Sequence, residues 1–197
     1  MTTQRTAKIQ RATGETRVEL LLNLDGTGKS TVHTGVGFFD HMLTLFSRHG
    51  LFDLEVKADG DLQVDSHHTV EDVGICMGQA MKQALADKAG IRRFGHAMVP
   101  MDDALVTAAV DLSGRPFLVW KADLPAVTLG TFQAELAREF WQALSSAASF
   151  NLHVLLHHGF NTHHMIEAIF KASAQALRQA CEKDPRVVGI PSTKGTL

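Results

Sequence analysis

The sequence predicts an α+β fold made of two similar halves, each with strands packed against helices. Three observations point there. Landmarks recur in one order: "NLDG" at 23–26 and "DLSG" at 111–114, "FDLEV" at 52–56 and "FNLHV" at 150–154, and His-His-x-x-Glu at 67–71 and 163–167. The spacings between the copies, 88, 98 and 96 residues, differ by small insertions while the order is kept, which is the signature of an internal duplication. Within each half, stretches of period-two alternation give way to stretches at helical spacing. A chain of 197 residues with 45% hydrophobic and 20% charged residues also has the apolar material for a core that both halves share. The expected organisation is one domain of two repeats, about 1–92 and about 93–190, with a C-terminal tail at 191–197. Pseudo-two-fold packing is expected, with sheets on one side and helices on the other.

"TRVELLLNLDGTGKSTVHTG" clusters β-formers around Asp25-Gly26-Thr27-Gly28 and reads as a hairpin. In "VGFFDHMLTLFSRHG", Phe38, Met42, Leu45 and Phe46 fall at helical spacing before Gly50, which reads as a cap. "FDLEVKADGDLQVD" returns to alternation and reads as a second hairpin. Val73, Met77, Ala80, Met81 and Leu85 then set a helix ending at Gly90. The order restarts near residue 102: "ALVTAAVDLSGRPFLVW" reads as strand, turn, strand, and "TFQAELAREFWQALSSAAS" as a helix through Phe132, Leu136, Phe140 and Leu144. "FNLHVLLHHGFN" is a strand and "THHMIEAIFKASAQALRQACEKDP" the closing helix.

Composition excludes several function classes. A net charge of −2 offers no general attraction to nucleic acid or anionic lipid, so an anion site has to be built locally. Cys76 and Cys181 stand alone, without a C-x-x-C partner, which fits a reducing compartment and inert thiols. No apolar run nears the roughly 20 residues that span a bilayer, and the polar start "MTTQRTAKIQ" lacks the apolar stretch of a secretory signal. The expected setting is the cytoplasm.

The chemistry is concentrated in the two His-His-x-x-Glu words, which use four of the 11 histidines. On a helix, Glu71 shares a face with His67 and His68, and Glu167 with His163 and His164. Adjacent histidines diverge by about 100° around the axis, so two ions suit the words better than one. Imidazole with carboxylate suits Mn, Fe or Zn. A lone H-x-x-E is ordinarily a solvated pair; the second copy, on an otherwise apolar helix, makes a shared metal site the stronger reading. The spelling departs from H-E-x-x-H and H-x-x-E-H peptidases and from the E-x-x-H of di-iron bundles. His41 and His153 could each complete a set, although a lone histidine is more often structural and these two are not repeat mates: His41 aligns with Glu139 and His153 with Glu55. Arg92, Arg93, Arg115, Ser192 and Lys194 collect basic and hydroxyl groups in turns; taken singly each reads as a solvated surface group, and together they are the candidates for an anion site.

"TGET", "LNLDGTGKSTVHTGVGFFDHML", "HHTVEDVGICMGQA", "GIRRFGHAMVPMDDAL", "DLSGRPFLV", "NLHV", "HHMIEAIFKA" and "GIPSTKG" together resemble the imidazoleglycerol-phosphate dehydratases, over nearly the whole chain. The resemblance implies a duplicated fold of the ribosomal-protein-S5-domain-2-like kind, two Mn²⁺ ions per active site, and a homo-oligomer of 24 subunits with sites between subunits. It implies His41, His67, His68, Glu71, His153, His163, His164 and Glu167 as metal ligands, three His and one Glu per ion. Substrate contacts fall on Glu15, His49, Arg93, Arg115, Lys171, Ser192 and Lys194, with the ligands His41, His67 and His163 also facing substrate. Two departures, Ser66 for a common Asp and Phe117 for a frequent Tyr, lie away from the ligand positions.

The implied reaction dehydrates D-erythro-imidazole glycerol phosphate to imidazole acetol phosphate in histidine biosynthesis. Its difficulty is a weakly acidic C–H. A metal on a ring nitrogen acts as a Lewis acid, favours the imidazolate, and lets ring electrons expel the hydroxyl through a diazafulvene-like intermediate. Glu15 is the expected acid/base, with Glu71 and Glu167 completing the catalytic set. Asp102 and Asp103 are expected to orient ligands. Two other classes compete: a dinuclear metal phosphoester hydrolase, which inorganic phosphate release would reveal, and a non-enzymatic assembly that histidine–metal contacts only staple together.

Overall fold

The computed structural model describes residues 5–197; the first four residues of the polar start lie outside it. Strands β1 (Thr6–Ala12), β2 (Thr16–Asn23) and β3 (Ser30–His33) precede helix α1 (Gly37–Gly50), strand β4 (Asp53–Gly60) and helix α2 (His67–Leu85). The second half repeats this with β5 (Phe94–Met101), β6 (Ala104–Asp111), β7 (Phe117–Lys121), α3 (Leu136–Ala148), β10 (Asn151–His158) and α4 (Thr162–Cys181). A short ribbon of β8 (Thr128–Leu129) and β9 (Phe132–Gln133) is inserted before α3.

Both sheets have the same wiring, β1-β2-β4-β3 and β5-β6-β10-β7. The registers carry the duplication residue by residue: Ala12 pairs with Arg17 and Pro100 with Leu105, Asn23 with Asp53 and Asp111 with Asn151. These pairings correct both expected hairpins of the first half. Residues 16–23 and 30–33 are strands, but β4 lies between them, and β3 runs parallel to β4. A helix intervenes between β3 and β4, and a strand–helix–strand crossover leaves its two strands parallel. In "FDLEVKADGDLQVD" only 53–60 is strand; beyond Gly60 the chain turns, with Leu62 N–H on the Gly60 carbonyl and Val64 N–H on that of Asp61. In the second half β10 likewise separates β6 from β7.

Two strands of the four-stranded sheets, and the short β8, stood outside the sequence reading. β1 and β5 are edge strands whose outward faces stay exposed, so their apolar signal is halved. Helix ends also differ. Leu51, with φ 55°, is the left-handed cap of α1 in place of Gly50; α2 ends at Leu85, five residues short of Gly90; and α3 begins at Leu136, leaving Phe132 on β9.

Within a half, a sheet packs on helices: α2 on β1 and β2, α4 on β5 and β6. Between halves the helices meet, α2 on α3 and α1 on α4, so two sheet–helix layers stack helix face to helix face. The seam is aromatic. Phe39 and Phe46 of the first half and Phe140, Trp141 and Phe170 of the second are all fully buried, with Phe39–Phe140 centroids at 5.3 Å and Phe46–Trp141 at 6.1 Å. Buried apolar area of this kind is the main stabilising contribution, and here it joins the halves.

Candidate active site

The contact of α1 with α4 brings His41 to the second His-His-x-x-Glu word. Asn161 starts α4 by accepting the His163 N–H on its side-chain oxygen at 3.0 Å. Met165, Ile166, Ile169 and Phe170 bury the inner face of the helix, which leaves His163 and His164 half-buried at its start. His41 Nε2 and His163 Nε2 lie 3.3 and 3.2 Å from the same oxygen, Oε2 of the buried Glu167. Lys171 Nζ holds the other oxygen at 2.6 Å. Burial pushes the Glu167 carboxyl up, but the Lys171 hydrogen bond and charge, with His163 and His41, outweigh it and keep the pKa below its ordinary value.

Donor atoms of His41, His163 and Glu167 all fall within 4.8 Å of one another, the one such triad among the described residues. Ligands about 2.1 Å from a small divalent ion sit roughly 3 Å apart when adjacent. The spacing of two imidazole nitrogens from one carboxylate oxygen therefore fits a Mn-, Fe- or Zn-type ion.

The second histidine of each word is held differently. His164 Nδ1 lies 2.6 Å from Asp103 Oδ1, while Oδ2 of Asp103 accepts the N–H groups of Phe160 at 2.6 Å and Asn161 at 3.0 Å. Those two backbone donors, and then His164, hold the Asp103 carboxyl far below the usual carboxylate range. Asp103 thus stands against Nδ1 of His164, and Asp102 Oδ2 lies 3.5 Å from His164 Nε2. His68 Nδ1 lies 3.0 Å from Asp61 Oδ2, which raises its pKa, and its Nε2 is 3.8 Å from Glu15 Oε1. Neighbouring rings diverge as the helix dictates: interplanar angles are 87° for His67/His68 and 75° for His163/His164.

Glu15 stands on the β1–β2 turn. Thr13 Oγ1 accepts the N–H groups of Glu15 and Thr16 at 3.1 and 3.0 Å. The Thr16 hydroxyl donates to Asp72, a buried residue of α2 that also receives Arg11 Nε at 2.8 Å. The turn is thus tied to the helix that carries the first word. Sequence reasoning passed over Arg11, Asp61 and Asp72. Asp72 offered a faint signal, an acid directly after Glu71; Asp61 offered none, because its partner is set only by how β4 ends above α2.

Other expected residues lie apart from the triad. Glu71 is exposed and lines a recess between α2 and α3 with Glu139. No ligand cluster of described residues draws on both words, and the exposed His153 joins none. His49 closes α1, its pKa lowered by burial and then by Lys171. Arg93 binds Asp111 at 2.7 Å and the Pro191 carbonyl at 2.9 Å, which lays the tail with Ser192 and Lys194 beside it. Arg115 sits in the turn after β6, its Nη1 3.4 Å from the Ser113 carbonyl. Arg93 precedes β5 and Asp103 follows it, so the eight-residue strand between them sets a span of roughly 24 Å.

The chain matches the family model described as imidazoleglycerol-phosphate dehydratase over residues 34–177. Among curated relatives, the imidazoleglycerol-phosphate dehydratase of Paracoccus denitrificans is 60% identical over 194 residues, covering 98% of this chain and 100% of that protein. The one from Acetivibrio thermocellus is 58% identical, covering 96% and 97%. The crystal structure of imidazoleglycerol-phosphate dehydratase from Staphylococcus aureus superposes with a TM-score of 0.83 at 40% identity, over 91% of this chain and 99% of that one. The structure of IGPD from Pyrococcus furiosus gives 0.82 at 35% identity, over 96% and 100%. With the fold, the length and the sequence all matched, the chain belongs to the imidazoleglycerol-phosphate dehydratase family and is a dehydratase, a lyase of histidine biosynthesis.

Proposed function

We propose that the chain dehydrates D-erythro-imidazole glycerol phosphate to imidazole acetol phosphate at sites that hold two Mn²⁺ ions and are completed by other copies of the chain. The observation that carries the metal reading is the convergence of His41, His163 and Glu167 on one point. Bound there, the ions would supply Lewis acidity that favours the imidazolate form of the substrate's ring. His41, His163, His164 and Glu167, with His67, His68, Glu71 and His153, would hold them. Lys171 keeps Glu167 ionised. Glu15, fixed on its turn near His68, moves the proton between carbon and hydroxyl. Arg93, Arg115, Ser192 and Lys194 hold the phosphate, and His49 lies at the end of the same helix as His41.

The shared site is supported by a length. Arg93 and Asp103 stand at opposite ends of β5, roughly 24 Å apart, beyond the reach of one small phosphate ester. A chain that offers phosphate ligands at one end and metal ligands at the other serves different sites of an assembly. We read that assembly as the 24-subunit homo-oligomer, with each chain one domain of two repeats meeting near residues 92–93 and a tail at 191–197, in the cytoplasm.

The test is turnover after chelation. Metal-stripped protein is expected to lose dehydration and to regain it with Mn²⁺, and Glu15→Gln to lower kcat at least about 100-fold with the assembly intact. Turnover untouched by chelation would remove the metal from the mechanism, and release of inorganic phosphate would favour the hydrolase reading.

A further inference from the structure

The two halves hold their second histidines with carboxylates from different loops. By strand register, Glu15 in the β1–β2 turn corresponds to Asp103 in the β5–β6 turn, since Ala12–Arg17 and Pro100–Leu105 are matching pairs. Yet the two do different things. Asp103 reaches the Nδ1 side of His164, 2.6 Å away. Glu15 faces the Nε2 side of His68 at 3.8 Å, and the Nδ1 side is taken by Asp61 at 3.0 Å. Asp61 follows β4, and where β10 ends the chain runs through Gly159 and Phe160, which carry no carboxylate.

Backbone bonding keeps the two arrangements apart. In the second half the Phe160 and Asn161 N–H groups bind the Asp103 side chain and draw it onto α4. In the first half the Asp61 N–H binds the Glu15 backbone carbonyl at 3.1 Å and not its side chain, so the Glu15 carboxylate is more than half exposed and touches only the edge of His68, at 3.8 Å. We infer that Asp61 is a positioning residue that does for His68 what Asp103 does for His164, and that this division frees Glu15 for proton transfer. A carboxylate on Nδ1 selects the tautomer with its proton there and leaves the Nε2 lone pair as the donor for a metal.

The inference rests on the metal reading above, and metal affinity tests it without reference to turnover. Free Mn²⁺ is followed by its EPR signal as it is titrated into the purified, metal-free assembly. Asp61→Ala is expected to weaken binding of one of the two ions at least about tenfold, with Asp61→Asn, whose carbonyl still accepts the Nδ1 proton, recovering most of it. Glu15→Gln is expected to bind Mn²⁺ as the unaltered protein does while losing turnover. Asp61→Ser, too short to reach the ring, gives the same reading if Asp61→Ala does not assemble. Unchanged affinity in the truncated variants, or a Glu15→Gln loss as large as theirs, would overturn the division of roles. Absence of Mn²⁺ uptake by the unaltered protein would instead defeat the metal reading itself.

Discussion

Asp53 decides where a strand can go. Its Oδ1 accepts the N–H groups of Thr27 at 2.8 Å and Lys29 at 3.0 Å, folding the "DGTGK" loop so that β3 reaches the far side of β4. Burial pushes the carboxyl up, and the backbone donors outweigh it, so the folded pKa lies below 3.8. A depressed carboxylate contributes stability that is full above its unfolded pKa and is lost as pH falls through the folded value. Asp53→Ala is therefore expected to cost about 1–3 kcal/mol near neutral pH, the gap to the unaltered protein closing as pH drops below about 4; denaturant melts across pH measure it. At this scale the two His-His-x-x-Glu words were legible because histidine pairs are rare and came twice. Asp53, Asp61 and Asp72 were not, because a lone aspartate reads as solvated until its partner is brought to it.

Between elements, glycine sets the distance. Gly74 and Gly78 lie one turn apart on α2, where it crosses α3. A methyl on Gly78 would sit 2.6 Å from both Ala147 Cβ and the Leu144 carbonyl, and 2.9 Å from Ala148 N. Helix propensity favours alanine by about 1 kcal/mol, but overpacking against backbone costs about 1–3 kcal/mol. Gly78→Ala is accordingly expected to lower stability, by up to about 2 kcal/mol in equilibrium unfolding; a more stable variant would mean that the helices can part freely. Most helices and inner strands were legible from periodicity. Pairing was not, because alternation reports a buried face and not a neighbour, so β2 and β3 read as a hairpin although β4 lies between them.

At the scale of the molecule, the wiring puts Asp103 and the His164 it holds at one end of β5 and Arg93, proposed above to hold phosphate, at the other. If copies meet through shared ions, binding and assembly are linked, and stripping the metal shifts both. Light scattering of chelated protein is expected to report a smaller mass, restored by Mn²⁺; a mass indifferent to chelator would count against ions as the link. Exposed Phe94, Met98 and Phe117 on the second sheet and Phe160 beyond it are surfaces that such an assembly can cover.

The sequence alone determined the duplication, the helical words and the imidazole and carboxylate groups they offer, because these are written in local spacing and residue type. Tertiary structure decided which of those residues meet. His41 joins Glu167 across 126 positions because α1 packs on α4, and Glu15 and Asp103, equivalent in the repeat, part company because one loop carries Asp61 and the other Gly159. Such contacts depend on how layers stack, which no spacing along the chain records.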